Sequence, residues 1–290
     1  MSSPFNLKNK NAYQRWRELK LEQAPHSIAD LIVEVDDPRK LTAAEHAAML
    51  TCCNRSNMVF YASHADNADK EIVHLVGHQF GLKNLDANWL AGEDGVSAIA
   101  ASAEGVRQAY IPYTNRPIKW HTDGYYNPPQ RRIRGMILHC VQSAATGGEN
   151  QLMDHEMAYL LLRDANPEFI RALQVEDAMT IPERTDEQGV ARPAQSGPVF
   201  SVSETGALHM RYTARTRSIE WKQNEATLAA VAFLEKLLSS DSPYIYRALL
   251  EPGMGLLCNN VLHDRAGFSD DAGHPRLLYR ARYYDRITAT

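Results

Sequence analysis

Two histidine–aspartate pairs with one residue between them are the first candidates for chemistry: His121-Thr122-Asp123 and His64-Ala65-Asp66. In an extended strand, residues i and i+2 project to the same face, so such a pair can bring an imidazole and a carboxylate to one ion. A second histidine would complete a set of two imidazoles and one carboxylate. That set leaves three adjacent octahedral positions open and suits non-haem Fe(II). His263 fits the third place, because it follows the apolar run GLLCNNVL and precedes a turn at Ala266-Gly267. The pair at His64 lies in the polar stretch ASHADNADKE, which offers no apolar frame to fix ligand positions. A plainer reading of residues 121–123, an Asx-type turn with a hydrogen-bonded histidine, stands beside the metal reading.

The last strand-like segment adds a second chemical feature. It alternates Arg276, Leu278, Arg280 and Arg282 with Leu277, Tyr279, Ala281 and Tyr283. Three arginines on one face are costly to bury unpaired. An anionic ligand explains them, since a guanidinium fork grips a carboxylate through two hydrogen bonds; an exposed edge strand blunted by charge is the alternative. Arg211, Arg215 and Arg217, in MRYTARTRSIEW, read either as an acid-binding lid or as a solvated basic loop.

Helices and strands must hold these groups. Asn11–Leu21 has a charged helical pattern, Leu41–Arg55 opens with the capping-box spacing Thr42-x-x-Glu45, and Asp69–Phe80 is amphipathic and stopped by Gly81. Asp154–Asp164 reads as a helix, with Asn166-Pro167 starting the next. Asn224–Ser239 places Leu228, Val231, Leu234, Leu237 and Leu238 on one stripe. Expected strands are Asn57–Tyr61, Arg134–Gln142, a hairpin of Val199–Val202 with Ala207–Tyr212, Gly255–Leu262 and Pro275–Tyr284. Strands and helices do not alternate regularly, which favours a mainly β, antiparallel assembly with flanking helices, closed as a sandwich or jelly roll.

Bulk properties narrow the function classes. A formal charge of −4 and a pI near 6.3 give no basic footprint for nucleic acid. The apolar runs fall far short of the roughly 20 residues that span a bilayer. The N-terminal stretch has no apolar core of a signal peptide, so a cytoplasmic location is expected. Four cysteines without CxxC spacing read as reduced, mostly core thiols.

Taken together, HTD at His121–Asp123, GGEN at Gly147–Asn150, the distal His263, and Arg276 with twelve residues between it and that histidine resemble the Fe(II)- and 2-oxoglutarate-dependent oxygenases of the taurine dioxygenase (TauD/TfdA) group. The stretches YTNRPIKWHTD, ILHC, ATGGENQLMD and HDRAGF look most like the branch containing γ-butyrobetaine and trimethyllysine hydroxylases. The likeness runs from Tyr110 to the C-terminus, with a weaker echo over Asn57–Gly81. It implies a double-stranded β-helix, a distorted cupin-like jelly roll. It also implies Fe(II) held by His121, Asp123 and His263, and 2-oxoglutarate held by Arg276, with Asn150 where the family usually has Thr or Ser. The cosubstrate and O2 would take the open positions, giving succinate, CO2 and an oxidised C–H bond. Asp123, present where related halogenases carry a small residue, implies hydroxylation or a similar oxidation. On the substrate side the resemblance implies Tyr113, Gly124, Tyr125 and Arg280, with Tyr126 adding to a possible aromatic cage for a cation; Arg280 instead suggests an anion. Small betaines, amino acids and sulfonates are the expected substrates.

One domain over 1–290 is expected, with residues 1–56 as a helical part packed on it and 105–290 as the catalytic core. Two other classes fit the same residues: a zinc hydrolase using the His, Asp, His site, and a ligand-binding relative without turnover. No nucleic-acid or membrane partner is expected, and a homo-oligomer is possible.

Overall fold

The computed structural model describes residues 3–65, 68–86, 92, 94–101, 110–186, 189–271 and 273–288. Local signals set several boundaries. Thr42 Oγ1 accepts from the Glu45 amide at 3.3 Å and the Glu45 carboxylate accepts from the Thr42 amide at 2.6 Å, so helix Ala43–Ser56 starts with a capping box. Asn57, at φ +58°, stops that helix and sends the chain directly into strand Met58–Ala62. Helices Lys10–Glu22, Glu71–Gln79, His155–Ala165, Pro167–Leu173 and Glu225–Leu238 lie close to where their patterns put them.

Two sheets position everything else. The larger has the strand order Ile32–Glu34, Met58–Ala62, Met254–Cys258, Gly135–Gln142, Leu277–Tyr283, Ser97–Ile99; only its first pair is parallel. The smaller has the order Tyr246–Ala248, Asn150–Met153, Leu262–Arg265, Ile118–His121, all antiparallel. The chain passes back and forth between them: Ile118–His121 is in the smaller sheet, Gly135–Gln142 in the larger, Asn150–Met153 in the smaller.

Side-chain alternation shows where the core sits. Met136, Leu138, Cys140, Leu256 and Leu278 of the larger sheet pack with Leu152, Tyr246 and Ala248 of the smaller, filling the space between the sheets. Ile137, Leu257, Tyr279, Ala281 and Tyr283 point the other way, into a cluster with Met49, Val73 and Val76 of two covering helices. A third cluster joins Met153 and Leu262 of the smaller sheet to Leu160, Ile170, Leu234 and Tyr13 of the helices on that side. No helix among the described residues is long and apolar enough to cross a membrane.

Three expectations are corrected. The segment 255–262 is not one strand: Met254–Cys258 ends, Asn260 takes φ +52°, and Leu262–Arg265 begins in the other sheet. Leu228 is 43% exposed, because the buried stripe of its helix runs through Thr227, Ala230, Val231, Leu234 and Leu238. The strand carrying His121 ends at that residue, so Asp123 belongs to the following turn and strand alternation does not aim it. The expected boundary at residue 105 lies outside the described residues.

Candidate metal centre and its surroundings

His121 and His263 face each other across the antiparallel pair of strands Ile118–His121 and Leu262–Arg265, with ring centroids 4.2 Å apart. Each ring is held the same way. Nδ1 of His121 lies 2.9 Å from the Lys119 carbonyl and Nδ1 of His263 lies 2.9 Å from the Val261 carbonyl, two residues upstream in both cases. A carbonyl only accepts, so each Nδ1 donates and each Nε2 keeps its lone pair for a ligand.

Asp123 is aimed by a backbone clamp. The Asn260 side chain accepts from the Asp123 amide at 2.8 Å and donates to the carbonyls of Asp123 at 2.9 Å and Ile133 at 2.7 Å. Thr122 turns away and is buried, its Oγ1 accepting from the Tyr212 amide at 3.1 Å. Gly124 then takes φ +67°, and a Cβ there would meet Ile133 Cγ1 at 2.5 Å, so this position is closed to any side chain. The result is one ligand atom each from His121, Asp123 and His263, all within 4.8 Å of one another.

The charges suit a cation. Burial raises the pKa of Asp123, but Arg280, the nearby His121 and Arg282 outweigh it, and the carboxyl stays ionised well below the usual range. Its Oδ1 is 3.6 Å from His121 Nε2 and its Oδ2 is 3.3 Å from Arg280, while Oδ2 is buried with no hydrogen-bond donor. Burial and the neighbouring His121 push His263 down to about 4, leaving a neutral imidazole at physiological pH. Two imidazoles anchored through Nδ1 and one buried carboxylate are the donor set of a non-haem iron(II) site. Of the other pair, His64 is exposed and joins no such cluster among the described residues, and Asp66 lies outside them.

Arg276 is buried with its guanidinium 5.1 Å from the centre of the Phe268 ring and within electrostatic reach of Arg265, two residues after His263, and among the described residues no carboxylate forms an ion pair with it. Burial lowers its pKa. Gly148, of the GGEN stretch, leaves room here, since a Cβ at that position would stand 3.4 Å from Arg276 Nε. Asn150 is buried as well. Its Nδ2 donates to the Asp264 carbonyl at 2.5 Å, and the atom left without a partner is the acceptor Oδ1. The amide therefore offers its surroundings an acceptor and one remaining N–H.

Comparison with known proteins places this geometry. The model of the taurine catabolism dioxygenase TauD, TfdA family matches residues 65–282, three quarters of the chain. The chain belongs to the TauD, TfdA family. A uridine-5'-phosphate dioxygenase from Amycolatopsis is 31% identical over 177 residues, covering 59% of this chain and 62% of that protein's length. Among solved structures, a taurine dioxygenase from Burkholderia xenovorans superposes with a TM-score of 0.58 at 21% identity, over 90% of this chain and 89% of that one. The non-heme iron oxygenase OrfP in complex with Fe and alpha-ketoglutaric acid gives 0.61 at 18% identity, over 94% and 90%.

In this TauD-family chain the other expected residues separate. Tyr125 approaches His121 edge-on, with centroids 6.4 Å apart, and Tyr126 meets Tyr125 at 5.2 Å and 81°. Tyr113 is buried. Arg280 is committed to Asp123, and Arg282 donates to Tyr126 Oη at 3.1 Å while pairing with the buried Asp86. Arg211 joins no lid: it is buried and its Nη2 donates to the Met179 carbonyl at 2.5 Å. Arg217 is exposed.

Three participants escaped the sequence reading. Asn260 had a signal, two asparagines interrupting an apolar run, which marks a corner. Arg265 sits two residues after His263 and donates to the carbonyls of Pro112, Thr114 and Arg116, tying down the segment that carries Tyr113. Asp86 had no signal at all.

Proposed function

We propose that this chain is an Fe(II)- and 2-oxoglutarate-dependent dioxygenase of a small anionic substrate, built on a double-stranded β-helix formed by the two facing sheets. His121, Asp123 and His263 would hold the iron and Arg276 the distal carboxylate of 2-oxoglutarate. When bound, the metal and its cosubstrate supply oxidative decarboxylation of 2-oxoglutarate with O2, giving succinate and CO2, coupled to oxidation of a substrate C–H bond. The protein's residues orient and neutralise: the clamp of Asn260 fixes Asp123, the carbonyls of Lys119 and Val261 fix the tautomers, and Arg276 supplies a counter-charge. The observation that carries the reading is the convergence of the three ligand atoms, together with a buried arginine, Arg276, that forms no ion pair with a carboxylate among the described residues.

The surroundings also favour an anion over the quaternary ammonium compounds of the γ-butyrobetaine and trimethyllysine hydroxylase branch. Arg280 and Arg282 lie within electrostatic reach of Asp123, the Tyr126 hydroxyl already accepts from Arg282, and Tyr125 and Tyr126 meet edge to face rather than walling a cage. The tyrosines therefore form no cage for a cation, and the guanidinium donors along this edge are better matched to an anion. The relative named for uridine-5'-phosphate agrees, since a nucleotide carries a dianionic phosphate, and a nucleoside 5'-phosphate is the substrate class we favour.

The test has two parts. Anaerobic protein with Fe(II) and 2-oxoglutarate should develop a visible charge-transfer band that His121→Ala lacks; its absence in the unmodified protein would end the iron reading. With O2, uridine-5'-phosphate should release succinate while γ-butyrobetaine and taurine do not. The reverse order would return the substrate to the betaine branch.

A further inference from the structure

The strands Arg184–Asp186 and Gly189–Arg192 form a hairpin in which Arg184 stands directly opposite Arg192. Residues opposite one another in an antiparallel pair share a face, and like charges in that arrangement repel. Among the described residues neither guanidinium forms an ion pair with a carboxylate. Each is instead held by neutral groups. Arg184 Nη1 donates to the Tyr110 hydroxyl at 2.6 Å and its guanidinium lies 4.9 Å from the centre of that ring. Arg192 Nη2 donates to the Pro182 carbonyl at 2.6 Å and Nη1 to the Pro193 carbonyl at 3.3 Å, so it braces both ends of the hairpin. These bonds fix the two side chains without neutralising them. Each guanidinium has five N–H groups, so donors remain on both.

Arg192 lies close enough to Tyr125 and Tyr126 to interact with both electrostatically, and Tyr125 borders the His121 ring. Two positive charges held on one face of a hairpin, with no carboxylate partner among the described residues and with Arg192 within electrostatic reach of the aromatic pair beside His121, are what a dianion would neutralise. A monocarboxylate would balance only one of them, whereas a phosphate monoester offers three acceptor oxygens and nearly two charges.

We propose that Arg184 and Arg192 together bind the phosphate monoester group of the substrate and so select phosphorylated over unphosphorylated molecules; this rests on the anionic-substrate reading above. The role differs from that of Arg276, which would hold the cosubstrate, and from that of Arg280, which is paired with Asp123.

Equilibrium binding to the full chain loaded with Fe(II) and 2-oxoglutarate under nitrogen tests it, with uridine-5'-phosphate, uridine and inorganic phosphate as probes. The unmodified protein should bind the nucleotide at least about tenfold more tightly than the nucleoside, the equivalent of one charge-assisted contact. Inorganic phosphate should compete with the nucleotide. Arg184→Gln and Arg192→Gln should each remove most of that preference while leaving nucleoside affinity and the charge-transfer band in place, and Arg192→Lys should restore part of it. An unchanged preference in both glutamine variants, or no preference in the unmodified protein, overturns the proposal while the band still stands for the iron reading. Loss of the band in the unmodified protein removes both.

Discussion

Arg276 is 5% exposed and its guanidinium forms no ion pair with a described carboxylate, Asp270 acting on it only from a distance. Taking such a group out of water costs free energy that only a bound anion recovers. Arg276→Leu should therefore divide two properties that a structural residue would keep together. Without cosubstrate, the variant should melt at the same temperature or higher. With cosubstrate, the 2-oxoglutarate concentration that half-saturates the charge-transfer band should rise about 100-fold, as loss of two charge-assisted bonds implies. A lower melting temperature with undisturbed cosubstrate binding would make Arg276 a packing residue. Asn150 shows the limit of reasoning by residue type. Its expected service as an amide donor is partly used up by the Asp264 carbonyl, a backbone partner 114 positions away that no motif discloses.

At the scale of elements, the ligands depend on the corner where the chain leaves strand Met254–Cys258 and enters Leu262–Arg265. Asn260 occupies a left-handed conformation there and spends its side chain on three bonds that hold the Asp123 turn. Asn260→Ala loses those bonds and strains the backbone, so it should cost about 2–4 kcal/mol in urea unfolding and weaken Fe(II) binding. Asn260→Gly tolerates the backbone angle but makes no bonds. It should recover part of the stability and none of the iron affinity, and iron affinity that returns with the glycine would show that the clamp does not set the site. The same corner explains what the sequence could disclose. Helix Glu225–Leu238 and the capping box at Thr42 were legible because their signals lie within a few residues. The coming together of His121, Asp123 and His263 was legible because a recurrent spacing stands in for contact. The split of segment 255–262 and the pairing of Arg282 with Asp86, 196 positions apart, were not, because each depends on which strands become neighbours.

Across the whole molecule, the cysteines report how the layers hold together. All four are free and buried, Cys140 and Cys258 between the two sheets and Cys52 and Cys53 beneath the helices on the far side of the larger one. Burial pushes Cys140 up to about 11 and Cys258 up to about 12. Lys20 shifts in the same direction: burial lowers it, but Asp154 and Glu156 raise it further, and its ammonium fastens helix Lys10–Glu22 to the start of helix His155–Ala165. For every group of this kind the folded state holds its proton more tightly than the unfolded chain. The stability it contributes is complete below the unfolded value, near 8.5 for a thiol and about 10.4 for lysine, and is lost as pH rises towards the folded value. The urea midpoint should therefore hold near neutrality and fall steadily above about pH 9. Thiol reagents should label the four cysteines together and only at the rate of global unfolding, since reaching either pair requires separating a layer from the larger sheet. A midpoint that stays level into alkali, or one pair labelling in the native state while the other is protected, would mean that one layer opens independently of the rest.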